Sequence, residues 1–190
     1  METLLAVPFL RVNAIGYATR AFELSRQFLF KWTVNWRFVG EEIFVSRVFS
    51  WTLLIVHLSI LVVFASTIWL APSRCRSLTE FVDNEFRARQ PRVVDLTSSF
   101  TTTTLLTSLV IGLLCARTLH YQFFAYLCWV TPFLLWKGGY GPVLTYVLWG
   151  LQEWAWNVYP STRVSSLVVV FSLGVQVIGP LMQARKDHVQ

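Results

Sequence analysis

Charge is scarce in this sequence. Only 14% of its 190 residues are Asp, Glu, Lys or Arg, against about 25% in an ordinary soluble domain. The shortage is concentrated in several long apolar runs. With 55% hydrophobic residues and a mean hydropathy of +0.53, the pattern is that of a polytopic membrane protein rather than of a soluble domain with a large core. Cysteine is also rare: Cys75, Cys115 and Cys128 have neither metal-ligand nor disulfide spacing, and two of them lie inside apolar runs. They read as packing residues. No N-x-[ST] sequon occurs. The opening "METLLAVPFL" has no basic n-region and no clear cleavage site, so it is not read as a signal peptide. No His/Cys/Asp/Glu cluster has metal-ligand spacing, and neither a metal nor a cofactor is expected. The net charge of +6 needs no nucleic-acid partner, and none is expected, because membrane topology accounts for where the basic residues fall.

What is present is a series of apolar segments. Val48–Leu70 carries no formal charge and has Trp51 and Trp69 near its ends. At about 1.5 Å per residue it crosses a hydrocarbon core of about 30 Å. The second run, about 100–116, opens with "TTTT", whose hydroxyls can bond back to helix carbonyls. The third and fourth, about 121–136 and 142–156, are short and Trp-tipped, with Pro132 expected to kink the third. The fifth, about 164–182, is uncharged and holds Gly174, Gly179 and Pro180. No repeat of 20–50 residues is visible. The expectation is an all-α, polytopic helical membrane protein with about five transmembrane helices, forming one membrane domain over residues 1–190.

Two polar stretches flank these runs. Residues 1–47 form a luminal or interfacial segment. In its second half Phe22, Phe28, Trp32 and Trp36 alternate with Arg20, Arg26, Lys31 and Arg37, too charged to span and too aromatic to stand free in water. Residues 72–97, of mixed charge, read as a solvated loop. With five spans this loop, the turn after the third span and the C-terminal tail share one side. That side holds Arg74, Arg76, Arg87, Arg89, Arg92, Lys137, Arg185 and Lys186, which the positive-inside rule puts in the cytosol.

The same topology gathers three polar-aromatic clusters on the opposite face: "NWRFVGEE" (35–42), "RTLHYQ" (117–122) and "WNVYPSTR" (156–163). Arg117 and His120 are three apart and share a face if the helix extends that far. An arginine fork suits a phosphate, and Tyr121 and Gln122 add hydrogen-bonding groups at the same level. The rival reading has Arg117 snorkelling to headgroups and His120 capping a helix. Asn35, Trp36 and Arg37 form a second polar-aromatic-basic group. Glu41 and Glu42 offer carboxylates for a base or simply begin a helix, where acids are favoured. Glu153, alone among Trp149, Trp154 and Trp156, is expected to pair with Arg163 or Arg117. Tyr159–Thr162 reads as a rigid turn.

At these residues a family resemblance emerges. "RQFLFKWTVNWRFVGEEIF" (26–44), "RTLHYQFFAYLCWVTPFLLW" (117–136) and "WNVYPST" (156–162) closely resemble the dolichyl-phosphate-mannose-dependent α-1,3-mannosyltransferases of the endoplasmic reticulum. The resemblance runs in order from about Pro8 to Pro180 and is nearest to fungal members. It implies a GT-C-type glycosyltransferase that moves mannose from dolichyl-phosphate-mannose to lipid-linked Man(5)GlcNAc(2)-PP-dolichol in the lumen. Dolichyl-phosphate-mannose, the dolichol-linked oligosaccharide and membrane lipid are the implied partners. Arg117, His120, Tyr121, Gln122, Asn35, Trp36 and Arg37 are then the candidates for the donor phosphate and sugar, with Glu41, Glu42 and Glu153 as weaker ones. The resemblance covers only the family's C-terminal part. The luminal loop carrying the family's acidic base is expected to be missing, and the short chain to be inactive by itself. A non-catalytic membrane protein that binds dolichol-linked lipid or a partner subunit is the alternative.

Overall fold

The computed structural model describes residues 2–21, 29–73, 75, 77–87 and 96–187. Phe22, Arg26 and Phe28 of the aromatic-basic segment, and Arg74, Arg76, Arg89 and Arg92 of the basic loop, lie outside the described residues, as do the side chains of Arg185 and Lys186. Helices follow one another in the order α1 (Glu2–Ala21), α2 (Glu41–Val45), α3 (Arg47–Phe64), α4 (Leu78–Arg87), α5 (Ser98–Cys115), α6 (Phe124–Lys137), α7 (Pro142–Asn157) and α8 (Arg163–Asp187). Among the described residues there is no strand, in keeping with the all-α expectation.

Three helical stretches are long and apolar enough to cross a membrane: Arg47–Trp69, Ser98–Cys115 and Arg163–Ala184. The first extends α3 through a π-helical turn, Ala65–Trp69. There Ser66 and Thr67 return their hydroxyls to the carbonyls of Val62 and Val63, satisfying polar groups inside an apolar surrounding. The threonine-rich start of α5 does the same: Thr103 donates to Ser99 O at 2.8 Å and Thr107 to Thr103 O at 2.7 Å. Ser46 and Thr97 cap α3 and α5 by accepting from Phe49 N and Phe100 N. α6 and α7 have 14 and 16 residues, about 21 and 24 Å of helix. The third apolar run starts later as a helix than the sequence suggested, because Tyr121–Phe123 form a 3-10 turn. Pro132 lies inside a continuous α6.

α8 is the central helix. It packs on α5, α6 and α7 because Val169, Leu173 and Val177, spaced four apart, are buried along one face. Val110 and Ile111 of α5, Leu127, Val130 and Leu134 of α6, and Ala155 and Trp156 of α7 close the core around them. The outer surface is apolar too: Val48, Ile55, Leu58 and Val62 of α3 all point outward. That is the inverse of a soluble protein and suits lipid.

Inside this apolar bundle sits a closed polar ring. Thr131 Oγ1 donates to Gln176 Oε1 at 3.1 Å, Gln152 Nε2 donates to Thr131 Oγ1 at 2.6 Å, and Gln176 Nε2 donates to Gln152 Oε1 at 2.6 Å. All three residues are buried. The ring joins α6, α7 and α8 at one level and fixes their register. Nearer the C-terminal end of α8, Gly138 and Gly179 bring two backbones together. A Cβ on Gly179 would stand 2.8 Å from the Tyr140 ring and 3.0 Å from Gly138 Cα, so only glycine fits there without displacement.

Replacing Gln176 by leucine removes one ring member and leaves Thr131 and Gln152 short of partners in an apolar core. The expected loss is about 1–2 kcal/mol. Leu167→Ala on the outer face of α8 should cost less. Reversible unfolding of the chain in mixed micelles measures both.

Candidate functional site

The polar clusters meet where three irregular segments leave the helix ends. α5 stops at Cys115, and residues 116–120 run extended or bent instead of helical. They stop because their backbone pairs elsewhere: Val34 N donates to Leu119 O at 2.9 Å. Asn35, with no exposed surface, ties the two segments together. Its Nδ2 donates to Ala116 O at 2.7 Å, and its Oδ1 accepts from Leu119 N at 2.8 Å and from the Thr33 hydroxyl at 2.8 Å. Trp36 Nε1 reaches the same Ala116 carbonyl at 3.0 Å. To make that turn Trp36 adopts φ 51° and Gly40 φ 86°, a region that glycine enters freely and tryptophan rarely.

The third segment docks on the first two. Ser161 Oγ donates to Val34 O at 3.3 Å, Phe38 N to Ser166 Oγ at 3.1 Å, and Tyr121 OH to Val158 O at 2.8 Å. Clusters far apart in sequence are thus in contact. Between them lies a cleft of about 240 Å³ lined by Lys31, Trp32, Arg37, Tyr121, Tyr159 and Pro160, with Thr33 and Ser161 at its floor. The Tyr121 ring meets Tyr159 edge-on at 5.6 Å. Burial pushes the Tyr121 phenol above its ordinary pKa, against smaller opposing pulls from a Ser161 backbone hydrogen bond and then the Arg37 charge, so it stays neutral.

The candidate residues separate by role. Arg117 and His120 share no helix face, since no helix extends to them. Arg117 turns toward α2 and α3: Nε donates to Phe44 O at 3.1 Å, Nη1 to Ser50 Oγ at 3.0 Å, and the guanidinium lies 5.3 Å from the Phe44 ring. Its Nη2 is buried with no protein partner. Arg117 therefore clamps the end of α2 onto α3. His120 Nδ1 is 3.3 Å from Trp32 O, and Gln122 is exposed at the turn before α6. Arg37 caps the 3-10 turn Phe30–Trp32 through Nη1, 3.4 Å from Phe30 O and 3.0 Å from Lys31 O, and lines the cleft.

Glu41 and Glu42 are exposed in the first turn of α2, where acids suit a helix start. The pairing expected for Glu153 is absent: among the described residues, the ion pair formed is Arg87–Asp83. Glu153 offers its carbonyl to Asn157 Nδ2. Its α7 position fixes its direction, and Arg117 is committed to Phe44. Lys31, Trp32 and Tyr159 line the cleft but were not among the candidates the sequence offered. Lys31 and Trp32 stood in the aromatic-basic segment, and Tyr159 in the 156–163 cluster, where it was read as part of a rigid turn. The signal available was the alternation of basic and aromatic residues ahead of the first long span.

These features define a helical membrane protein with a basic-aromatic cleft where its helices end. The chain belongs to the ALG3 protein family, whose model matches residues 1–166. A Neurospora crassa protein named Dol-P-Man:Man(5)GlcNAc(2)-PP-Dol alpha-1,3-mannosyltransferase is 50% identical over 196 residues, covering 98% of this chain and 44% of that protein. Proteins of the same name from Mus musculus and Homo sapiens are 40% and 39% identical, each over 169 residues, 87% of this chain and 38% of theirs. The chain thus spans less than half the length of these relatives. No solved structure matches it.

The Arg117 clamp has a measurable consequence. Arg117→Ala removes two charge-assisted hydrogen bonds and should destabilise the chain by about 1.5–3 kcal/mol. Arg163→Ala, at an exposed position, should stay within about 0.5 kcal/mol. Unfolding of both variants in the same micelles provides the comparison.

Proposed function

We propose that this chain forms part of an endoplasmic-reticulum mannosyltransferase that transfers mannose from dolichyl-phosphate-mannose, in α-1,3 linkage, to lipid-linked Man(5)GlcNAc(2)-PP-dolichol. The observation that carries the reading is the 50% identity over 98% of the chain to the Neurospora crassa enzyme. The fold is of the GT-C type, with α6 and α7 crossing the membrane beside the three longer spans to make five. Residues 72–97 then face the cytosol, and the cleft faces the lumen.

In the reaction, the acceptor 3-hydroxyl attacks the anomeric carbon of mannose. The bond from that carbon to the phosphate oxygen breaks, dolichyl phosphate leaves, and the hydroxyl proton passes to a carboxylate. Donors aimed at the phosphate stabilise the charge that develops on it. Asn35, Trp36, Arg117 and His120 frame this site, and Arg37 and Tyr121 line it. Gln122 stands exposed beside it. Glu41, Glu42 and Glu153 are given no role in the proton transfer.

Two experiments test this reading. Exchanging the matching segment of the Neurospora crassa enzyme for this chain should give a chimera that restores elongation of Man(5)GlcNAc(2)-PP-dolichol in cells lacking the enzyme. A chimera that is well expressed and correctly located, yet leaves that oligosaccharide unextended, would sink the reading. Topology is checked in sealed microsomes with Cys75 replaced by serine: a cysteine at Thr79 should label from outside, and one at Tyr159 only after the membrane is opened.

A further inference from the structure

The stretch 72–97, read from the sequence as a solvated loop, contains a helix that the bundle does not use. After the π-helical turn that ends the first span, Ala71–Ser73 form a 3-10 turn, with Ser73 N donating to Leu70 O at 2.9 Å. α4, Leu78–Arg87, begins five residues after Ser73. Ser77 starts it: its hydroxyl accepts from Glu80 N at 3.1 Å and its carbonyl from Phe81 N at 3.0 Å, a cap that the order "SLTE" (77–80) favours. Asp83 and Arg87, one turn apart, pair at 2.6 Å. Local sequence therefore specifies the helix.

Its 10 residues are too few to hold a helix in water, where lengths below about 12–15 residues are marginal without a packed apolar face. α4 has such a face: Leu78, Phe81, Val82 and Phe86 stand at i, i+3, i+4 and i+8. Yet Val82 is 43% exposed and Phe86 87%, and no residue of α4 enters the hydrophobic core of the bundle. Thr79, Glu80, Asp83 and Arg87 stand exposed on the other face. The connection decides what covers the apolar one. A chain spans at most about 3.6 Å per residue, so Leu78 lies within about 18 Å of Ser73, at the end of a membrane-crossing stretch. Arg74 and Arg76 precede the helix in sequence, and Arg89 and Arg92 follow it, which suits a surface of phosphate headgroups. A soluble partner or a second copy would leave the apolar face bare until it arrived; lipid is always within reach.

We propose that α4 is an in-plane membrane anchor. It lies along the bilayer surface at the end of the bundle away from the cleft, with Leu78, Phe81, Val82 and Phe86 inserted among the first acyl carbons. Thr79, Glu80, Asp83 and Arg87 face water. Strong amphipathicity with low mean hydropathy is the form that interfacial helices take. Apolar burial supplies the attachment, because the exposed face sets Glu80 and Asp83 against Arg87. Glu85 falls within the apolar arc by register, and a carboxylate there keeps the helix at the headgroup boundary. The anchor fixes the depth at which the first span ends and α5 begins. It rests on the membrane character of the bundle and not on the transfer reaction.

The test is spin labelling of the chain in nanodiscs of zwitterionic lipid, with Cys75→Ser and Cys128→Ala and the buried Cys115 kept. Nitroxides go singly at Val82, Phe86, Thr79 and Asp83, and collisions with oxygen and with a water-soluble nickel chelate give the depth of each. Labels at Val82 and Phe86 should lie about 5–10 Å into the boundary between headgroups and acyl chains, and those at Thr79 and Asp83 in water. The pattern should persist at about 1 M salt, where the Debye length falls to about 3 Å. Val82→Asn with Phe86→Asn should release a label at Phe81 into water, while a label at Ile55 on the outer face of α3 keeps its depth and shows the bundle intact. Equal nickel contact at Val82, Phe86, Thr79 and Asp83 would overturn the anchor. So would depth that is lost in high salt, which would leave only a charge tether to headgroups. Labels at Val82 and Phe86 shielded from both reagents would place the face against protein, and spin–spin broadening between chains would give it to a second copy; either result overturns the proposal.

Discussion

Backbone that leaves a helix beside hydrocarbon must find its hydrogen bonds within the protein, since no water is there to supply them. The described structure is organised around that requirement. Residues 33–36 and 116–119 are non-helical, and they satisfy one another through the Val34–Leu119 backbone bond and the Asn35 amide. The turn at 158–161 is bound in by Tyr121 and Ser161. Removing the Asn35 side chain would orphan Leu119 N and weaken the hold on Ala116 O together. The cleft exists because these three loops have been forced to settle with one another.

The same requirement explains the polar residues within the spans. Ser66, Thr67, Thr103 and Thr107 return their hydroxyls to their own helices, and this needs no neighbour. Gln152 and Gln176 have side chains too long and too polar for that alone, and with Thr131 they complete a ring across three helices. Such a ring adds little to stability when complete but penalises any packing in which α6, α7 and α8 slide out of register. It therefore sets where the ends of these helices lie, and with them the loops that line the cleft.

The arginines divide their labour by what surrounds them. Arg117 lies beside the carbonyl end of a short helix and the Phe44 ring; Nε and Nη1 are used there, and Nη2 is left buried without a partner. Arg37 uses one nitrogen on the turn Phe30–Trp32, and its other two find no partner among the described residues.

The sequence by itself determined the helical membrane class, the positions of the apolar runs and the family. Those depend on composition and local order: an uncharged run such as Val48–Leu70 can do little else than cross or lie in a membrane. It also pointed to three polar clusters, which the hydrogen bonds of Asn35, Tyr121 and Ser161 hold together. It did not reveal that α5 ends at Cys115, which breaks the face that Arg117 and His120 would have shared. Nor did it reveal the ring of Thr131, Gln152 and Gln176, or the group of Lys31, Trp32, Arg37 and Tyr159. Those are hydrogen-bonded and packed across large sequence separations. Which partner a fork or an amide finds is settled by the distances between helices, and only the tertiary structure sets those.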